Sequence, residues 1–270
     1  MILRILSVTL LLNFLLIAGP AIAATDWCAS ANMKGAWKID ETSGTIQDCT
    51  SNNNDGTNNA GSLNVSGKFG TAIDYNQNNN EYLDFGSPTA FDNVTQKTIG
   101  AWTYIDTDGD NSSARCNAGV IFQKTEWGFC IEPTDKMRYF HRWNGGQTSW
   151  DTTNADVTYA AWTHWAVKYD RSSSSNDPTI YKDGVAKSTN NPTPCCSGAN
   201  DDSGSSLLMA NIFDVDEWDG KFDEAFFYSG MMTSTDINEI KDSGLDGLQG
   251  TSDVYSGRGI GRGIGRGVGR

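Results

Sequence analysis

The chain has 270 residues, with 33 acidic and 20 basic side chains and a formal net charge of −13. This charge disfavours nucleic-acid binding, because phosphate recognition depends on Lys and Arg side chains that displace counterions. An acidic chain instead suits loops that gather Ca²⁺ through carboxylate oxygens. Aromatic residues make up 11% of the chain and are spread along it, so a sizeable apolar core is expected.

The first residues have the order of a secretory signal peptide. A short basic start precedes an apolar run at residues 5–18, and small residues of the kind that signal peptidase accepts follow it. The run is too short to span a bilayer comfortably. The sequence therefore predicts that residues 1–23 are removed, that no transmembrane segment remains, and that the mature protein is secreted to the extracellular space or the periplasm.

The six cysteines all lie beyond the predicted signal peptide. Export makes disulfides the expected state, with a pairing that the sequence leaves open. A zinc site is the rival, but the chain has no Cys-x-x-Cys pair to begin one. We expect the adjacent Cys195 and Cys196 to bond to two different partners, because a bond between them strains the intervening peptide.

Short runs of β-branched and aromatic residues alternate with Gly, Asn, Asp and Ser clusters, a pattern typical of an all-β sandwich or barrel. The sequence Asp183-Gly184 between two short strands predicts a hairpin. One helix is expected at residues 234–244, where it begins after Ser/Thr/Asp signals and stops at glycine. The predicted strands are residues 36–39, 70–75, 82–85, 98–105, 120–124, 129–132, 137–143, 162–169, 179–182, 185–187, 207–210 and 221–228.

The composition changes near residue 245. We predict one β-sandwich domain over residues 24–244, followed by a flexible linker and a Gly-Arg-rich tail at residues 245–270. A chain this rich in glycine cannot offset its ordering entropy. Two alternatives stay open for the tail: an inert end, or contact with an anionic polysaccharide, a membrane surface or the protein's own acidic loops through Arg258, Arg262, Arg266 and Arg270.

Several motifs in order resemble the laminin G-like members of the concanavalin A-like lectin/glucanase superfamily, which have a pentraxin-like jelly roll. They are GAWKIDETSGTIQDCTSNNNDGT, GKFGTAIDY, TIGAWTYI, WTHWAVKYD with the YKDGV hairpin, and DGKFDEAFFYSGMMTSTDINEI, together covering roughly residues 35–241. The resemblance implies an all-β, two-sheet antiparallel jelly-roll sandwich with one short C-terminal helix. Members bind glycans or protein surfaces, frequently with Ca²⁺, and many serve as adhesion modules or enzyme appendages.

The resemblance also implies a calcium site. Family members often bring an early Asp- and Asn-rich loop against an acidic pair in the last strand, around a metal. The matching residues here are Asp48, Asn52, Asn54, Asp55 and Asp223, whose oxygens suit Ca²⁺. This chain departs from the pattern by placing Ser51, Asn53 and Cys49 in the loop. The alternative is a turn whose side chains cap one another by hydrogen bonds.

A second acidic loop carries Asp106, Asp108 and Asp110 at alternate positions, like the start of an EF-hand loop. Asn117 stands where the bidentate acid of an EF-hand is expected, and no helices flank the loop, so it is not an EF-hand. It is a possible second metal loop, with a solvated acidic turn as the alternative.

Asp214, Asp216 and Asp219 reproduce the spacing of the catalytic Glu-x-Asp-x-x-Glu of laminarinase-type glucanases but lack both glutamates. The shorter side chains withdraw the carboxylates, a displacement that catalysis tolerates poorly. We therefore expect no catalytic residues. Laminin G-like domains place binding residues in this same loop, so Asp214 and Asp216 are candidate ligand-binding residues.

Exposed aromatic rings are what a glycan-binding face requires, because the C–H faces of sugars stack on them. The candidates in predicted turns and loops are Trp127, Trp143, Trp150 and Trp218, with packing at the sandwich edge as the alternative. Trp37, Trp102, Trp162 and Trp165 lie on apolar strands and are expected in the core. His141 and His164 have no nearby Ser–Asp partner and are expected to be structural.

The sequence thus favours a secreted, non-catalytic module that binds carbohydrate or a glycoprotein, with calcium as its cofactor. A protein-binding adhesion or surface-interaction domain is the alternative, and a glycoside hydrolase is the third hypothesis.

Overall fold

The computed structural model of the protein describes residues 24–77, 79–107, 116, 119–190, 192–211 and 217–248. The predictions on the signal peptide, on Asp108, Asp110, Asp214 and Asp216, and on the Gly-Arg repeats lie outside the described residues. Within the described ranges, no helix combines the length and the apolar character that crossing a membrane requires.

These ranges contain fifteen strands and one α-helix, α1 (Ser234–Ser243). The strands are β1 (Met33–Trp37), β2 (Thr57–Asn59), β3 (Ser62–Ser66), β4 (Thr71–Tyr75), β5 (Tyr82–Asp84), β6 (Gln96–Ile105), β7 (Val120–Lys124), β8 (Trp127–Glu132), β9 (Lys136–Trp143), β10 (Gly146–Asp151), β11 (Trp162–Asp170), β12 (Thr179–Lys182), β13 (Val185–Ala186), β14 (Leu208–Ala210) and β15 (Gly220–Ser229).

The strands form two antiparallel sheets, which confirms the predicted jelly-roll sandwich. The eight-stranded sheet has the order β13-β12-β11-β6-β15-β4-β3, with β1 also paired to β15, and the seven-stranded sheet has the order β10-β9-β8-β7-β14-β5-β2. Every predicted strand overlaps an observed one, and Asp183-Gly184 turns from β12 to β13 with positive φ at both residues. The strands β2, β3 and β10 were not predicted, because they are rich in Asn, Ser, Thr and Gln.

Aromatic side chains from both sheets fill the space between them. The ring of Trp37 on β1 lies 3.9 Å from that of Phe85 and 6.1 Å from that of Phe122, measured between centroids. Phe227 of β15, which lies in the same sheet as Trp37, contacts Phe91 and Trp127. These six rings are all buried, and such close aromatic packing stabilises the sandwich beyond the area it removes from water.

A β-bulge interrupts β15 at the centre of the eight-stranded sheet. The register against β6 shifts between Asp223 and Phe226, and Glu224 has a φ of 49°. In a regular strand, neighbouring side chains point to opposite faces. The bulge changes this alternation at two buried carboxylates, Asp223 and Glu224, and makes this segment a candidate site.

The helix α1 begins and ends as the sequence predicts. Thr233 and Asp236 form a reciprocal capping box, and Gly244 follows the last turn with a φ of 71°. The predicted linker, however, begins inside the ordered fold. Leu245 is fully buried, its N–H donates to Glu224 Oε2 at 2.6 Å, and its carbonyl accepts from the N–H of Trp27.

Four of the six cysteines form two disulfides, Cys28–Cys49 and Cys116–Cys130. Cys195 and Cys196 are both free thiols. The prediction that these two adjacent residues bond to separate partners is wrong, because the four other cysteines are already paired with one another.

The buried His164 on β11 predicts how the free energy of unfolding depends on pH. It is fully buried, both ring nitrogens lack a hydrogen-bond partner, and burial lowers its pKa to about 3. The unfolded histidine has a pKa of about 6.5, so between about pH 7 and about pH 5 only the unfolded chain takes up this proton. We expect this difference to remove about 2 kcal/mol of stability over that range.

Urea unfolding of the wild type and of His164→Leu at both pH values measures this contribution. The variant keeps His141 and all carboxylates, so the difference between the two pH dependences isolates His164. Equal losses of unfolding free energy in the two proteins would contradict the assignment.

Candidate functional site

The predicted calcium loop is closed by its own hydrogen bonds. Oδ1 of Asp48 accepts the N–H groups of Ala36 and Thr50, and Oδ2 accepts the N–H of Asn54 and the hydroxyl of Thr50. Asp55 accepts the N–H of Asp48 at 2.9 Å. The Asn52 and Asn54 side chains donate to the carbonyls of Met33 and Lys34, which ties the loop to β1.

The fifth predicted ligand, Asp223, is separated from this loop. The N–H of Cys49 donates to the carbonyl of Ala36, and Ala36 pairs with Phe226 on its other side, so β1 lies between the loop and β15. Two strand spacings amount to about 10 Å. Among the described residues no group of three or more His, Cys, Asp or Glu side chains is placed to hold a metal ion. The five predicted ligands therefore do not converge on one site.

Asp223 instead neighbours Glu224 in the chain, and the negative charge of Asp40 acts on both carboxyl groups. Asp223 Oδ2 accepts the N–H of Phe69 at 2.8 Å, and Asp40 Oδ1 accepts the N–H of Thr71 at 2.8 Å. The oxygens Asp223 Oδ1 and Glu224 Oε1 are buried without a hydrogen-bond partner. Burial, with the neighbouring negative charges, raises the pKa of Asp223 to about 9 and the pKa of Glu224 to about 8. Two unpartnered carboxylate oxygens are what a bound cation would compensate.

The second acidic loop is described only at its start. Asp106 Oδ2 lies 3.4 Å from Lys221 Nζ, and Lys221 Nζ also lies 3.9 Å from Asp74. The third member of the glucanase-like spacing, Asp219, accepts the hydroxyl of Thr107 at 2.6 Å. Asp106 and Asp219 are thus engaged in contacts within the chain.

The expectation that four tryptophans form an exposed stacking face is wrong. Trp127, Trp143, Trp150 and Trp218 are at most 2% exposed. Lys97 Nζ lies 4.0 Å from the ring centroid of Trp127, and the indole N–H groups of Trp127 and Trp150 donate to Asp202 and Asp177. Each position lies on or beside a strand whose inner side faces the partner sheet, and burial of such large rings is strongly favourable.

Polar side chains that the sequence analysis did not single out line the outer face of the seven-stranded sheet. One row of paired residues crosses this face, which we name the central outer row: Thr57, Asp84, Leu208, Gln123, Gly128, Phe140 and Ser149. Its members alternate with core residues such as Phe122 and Tyr139. A Cβ at Gly128 would lie 2.5 Å from the Phe140 ring, so glycine lets that ring lie flat on the sheet.

A disulfide and an ion pair flank the central outer row. Cys116–Cys130 packs with Val120 and Phe140 in a separate buried cluster, which fixes the chain at Cys116 to this face. The guanidinium of Arg138 on β9 binds Asp151 on β10 through two parallel bonds of 2.6 and 2.9 Å. Such bidentate geometry holds the edge of the sheet rigid.

A groove of about 290 Å³ opens beside Gln123, where β7 meets the segment that precedes β14. Gln123 Oε1 is buried without a hydrogen-bond partner, and Ser205 donates to the carbonyl of Asp202 at 2.8 Å. Amide, hydroxyl and backbone polar groups therefore lie close to one another along the groove. Its lining residues are Gln123, Lys124, Thr125, Gly204, Ser205, Ser206 and Leu208.

Sequence reasoning missed this groove because its residues come from two distant segments. The alternation of Phe122, Gln123 and Lys124 marks Gln123 as outward-facing, but nothing local places residues 204–206 beside it.

Comparison with solved structures finds the same fold in several proteins. The binding domain of Paraclostridial Mosquitocidal Protein 1 matches with a TM-score of 0.61 and 14% identity over 78% of this chain and 52% of that chain. A second match is domain 4 of AbnA, a GH43 extracellular arabinanase from Geobacillus stearothermophilus, in complex with arabinotriose. Its TM-score is 0.52 and its sequence identity is 16%, over 78% of this chain and 98% of that chain. A third match is the botulinum neurotoxin serotype D ligand binding domain in complex with N-acetylneuraminic acid. Its TM-score is 0.56 and its sequence identity is 11%, over 78% of this chain and 50% of that chain.

At these identities the likeness shows a shared fold, and the chain spans about half the length of the two toxin domains. No sequence among the curated proteins matches the chain.

A laminin G family profile, described as the concanavalin A-like lectin/glucanases superfamily, matches residues 77–238. The match covers more than half of the chain and runs from β5 to the first half of α1. The two-sheet topology agrees with it. The chain therefore belongs to the concanavalin A-like lectin/glucanase superfamily.

Proposed function

We propose that the mature chain is an exported, non-catalytic binding module that recognises carbohydrate, free or as the glycan of a glycoprotein, on the outer face of the seven-stranded sheet. The observation that carries this proposal is the groove beside Gln123, which is lined by amide and hydroxyl side chains. Sugar hydroxyl groups donate to amide oxygens, and they can both donate to and accept from serine and threonine hydroxyls.

The groove suits a polar ligand better than an apolar one. Among the described residues the exposed large apolar side chains are Val185, Met231 and Leu248, none of which is aromatic. Recognition would therefore rest on hydrogen bonds. A binding site with few apolar contacts gives modest affinity per module.

The structural neighbours support carbohydrate as the ligand class. One of the matched structures holds arabinotriose and another holds N-acetylneuraminic acid. The predicted signal peptide and the two disulfides support export, since disulfides persist in oxidising compartments.

Calcium is the cofactor that we propose for this module, at Asp223 and Glu224 rather than at the Asp48 loop. The Asp48 carboxylate is occupied by backbone donors, whereas Asp223 Oδ1 and Glu224 Oε1 have no partner. Hard Ca²⁺ accepts carboxylate oxygens together with backbone carbonyls and water. The bound ion would stabilise the bulge of β15.

Two outcomes of ligand screening would favour the other hypotheses. Binding to deglycosylated protein partners would favour an adhesion domain. Hydrolysis of β-glucans that is lost in Asp214→Asn or Asp219→Asn would favour a glycoside hydrolase.

The groove predicts a variant with weakened glycan binding. Arabino-oligosaccharides and sialylated oligosaccharides are titrated calorimetrically against the wild type, and the glycan that binds is then titrated against Gln123→Ala. Loss of one hydrogen bond to the ligand costs about 0.5–1.5 kcal/mol, so we expect Kd to rise by roughly two- to twelvefold.

The matched control is Ser62→Ala, which removes an exposed hydroxyl from β3 at the edge of the other sheet. This variant should bind like the wild type. An unchanged Kd in Gln123→Ala would place the glycan elsewhere on the molecule.

The metal proposal predicts stabilisation by calcium. At free Ca²⁺ about a hundredfold above its Kd, binding to the folded state adds about 2.7 kcal/mol. For a domain of this size, that corresponds to roughly 5–10 °C in Tm. Thermal melting with millimolar Ca²⁺ and with EDTA measures the shift, and Asp223→Asn should abolish it.

Asp48→Asn provides the contrast. This variant weakens the loop and should lower Tm both with Ca²⁺ and with EDTA. The difference in Tm between the two conditions should stay the same as in the wild type. If Asp48→Asn alone abolishes the calcium shift, the ion binds at the loop and not at β15.

A further inference from the structure

Cys195 and Cys196 are adjacent, and their sulfur atoms lie 2.7 Å apart. They are the two thiols that remain after the other four cysteines have formed disulfides. Cys196 is exposed and Cys195 is half-buried, so the pair is accessible to small molecules. Within one chain, each of these sulfurs has only the other as a possible disulfide partner.

The backbone around the pair is held by contacts that do not involve the sulfurs. The N–H of Asn144 donates to the carbonyl of Gly198 at 2.9 Å, and Ser174 Oγ donates to the carbonyl of Cys196 at 2.6 Å. Cys196 has a φ of 88°, in the left-handed region that L residues rarely adopt. The surrounding structure thus stabilises an unusual conformation in which both sulfurs face the same way.

The start of β10 provides the surface on which the sulfurs lie. A Cβ at Gly146 would be 2.8 Å from Cys195 Sγ and 3.0 Å from Cys196 Sγ. Glycine at this position leaves room for both sulfur atoms against bare backbone. The pair is therefore seated by the fold and is not a chance neighbourhood of two surface thiols.

We propose that Cys195 and Cys196 form a thiol–disulfide exchange site, at which a small-molecule disulfide oxidises the pair to an intramolecular ring. One thiolate attacks a sulfur of the disulfide RSSR and expels RS⁻, which leaves a mixed disulfide. The second thiolate attacks the protein sulfur of that mixed disulfide and expels the second RS⁻. The protein loses two electrons and two protons, and RSSR gains them as two RSH molecules.

The ring is expected to open easily. Neighbouring Cα atoms are about 3.8 Å apart across a trans peptide, whereas disulfides normally span about 4.4–6.8 Å between Cα atoms. Strained and exposed disulfides are the more reducible ones. In contrast, both residues of Cys116–Cys130 are fully buried. The adjacent pair thus responds to redox conditions that leave the buried disulfide intact.

Tryptic mapping of the full chain after treatment with oxidised glutathione tests the proposal. Residues 188–221 form one tryptic peptide that contains Cys195 and Cys196 and no other cysteine. We expect this peptide to be lighter by two hydrogen atoms than its reduced form and to resist alkylation until reductant is added. Its reduction should need at least about tenfold less reduced glutathione than reduction of Cys116–Cys130.

Single variants separate ring closure from ordinary thiol oxidation. Cys195→Ser and Cys196→Ser each leave one thiol, which should accept one glutathione as a mixed disulfide. The reduced wild type should bind one phenylarsine oxide molecule, because two thiols bind its trivalent arsenic and the arsenic oxygen leaves as water. Neither single variant should bind it in this way, because each has only one of the two thiols.

A wild-type peptide with two glutathione adducts, or with two alkylated cysteines after oxidation, would overturn the proposal. A bond from either residue to another cysteine of the same or a second chain would overturn it as well. None of these measurements depends on glycan or calcium binding, so the outcome is independent of the proposed function.

Discussion

The packing of aromatic rings between the two sheets is the constraint on which the rest of the structure depends. Trp37, Phe85, Phe122 and Phe227 occupy the space that the sheets enclose, and Trp127 packs against Phe227. Each sheet has one apolar face that must leave water, and rings of this size bury the largest apolar area per residue. Six tryptophans belong to this core and are therefore unavailable for stacking on a ligand: Trp37, Trp127, Trp143, Trp150, Trp165 and Trp218. Ligand recognition on this fold would therefore depend on hydrogen bonds rather than on stacking.

The bulge in β15 shows how one local irregularity concentrates unusual chemistry. The strand pairs with β1, β4 and β6, so its central residues are deeply buried. Asp223 and Glu224 are carried into this environment, where burial raises both pKa values and one oxygen of each residue has no partner. Burying two carboxylates is costly without compensation. The N–H groups of Phe69 and Leu245 provide part of it, and the proposed cation would provide the remainder.

The pattern of apolar residues predicted most of the fold because the driving force acts on that pattern directly. Strands such as β6 and β11 are rich in β-branched and aromatic residues, and the helix α1 has strong capping signals at both ends. In β10 only Thr148 and Trp150 face inward, and the intervening polar residues resemble a loop. The predicted calcium ligands were only partly brought together: the Asp48 loop is compact, but β1 separates it from Asp223.

By itself, the sequence determined the all-β class and the polar loops, because these follow from the period of hydrophobic residues and from turn chemistry. The two-sheet arrangement was implied by the resemblance to the laminin G-like family and not by periodicity, which a barrel would fit equally well. The tertiary structure decided which aromatic rings are buried, since the two faces of a strand differ only in what packs against them. It also decided the disulfide pairing, because Cys28 meets Cys49 and Cys116 meets Cys130 only after β-pairing. The groove beside Gln123 likewise joins distant parts of the chain, since Gln123 and Ser206 are more than eighty positions apart in the sequence. Such contacts depend on sheet order, which no local pattern encodes.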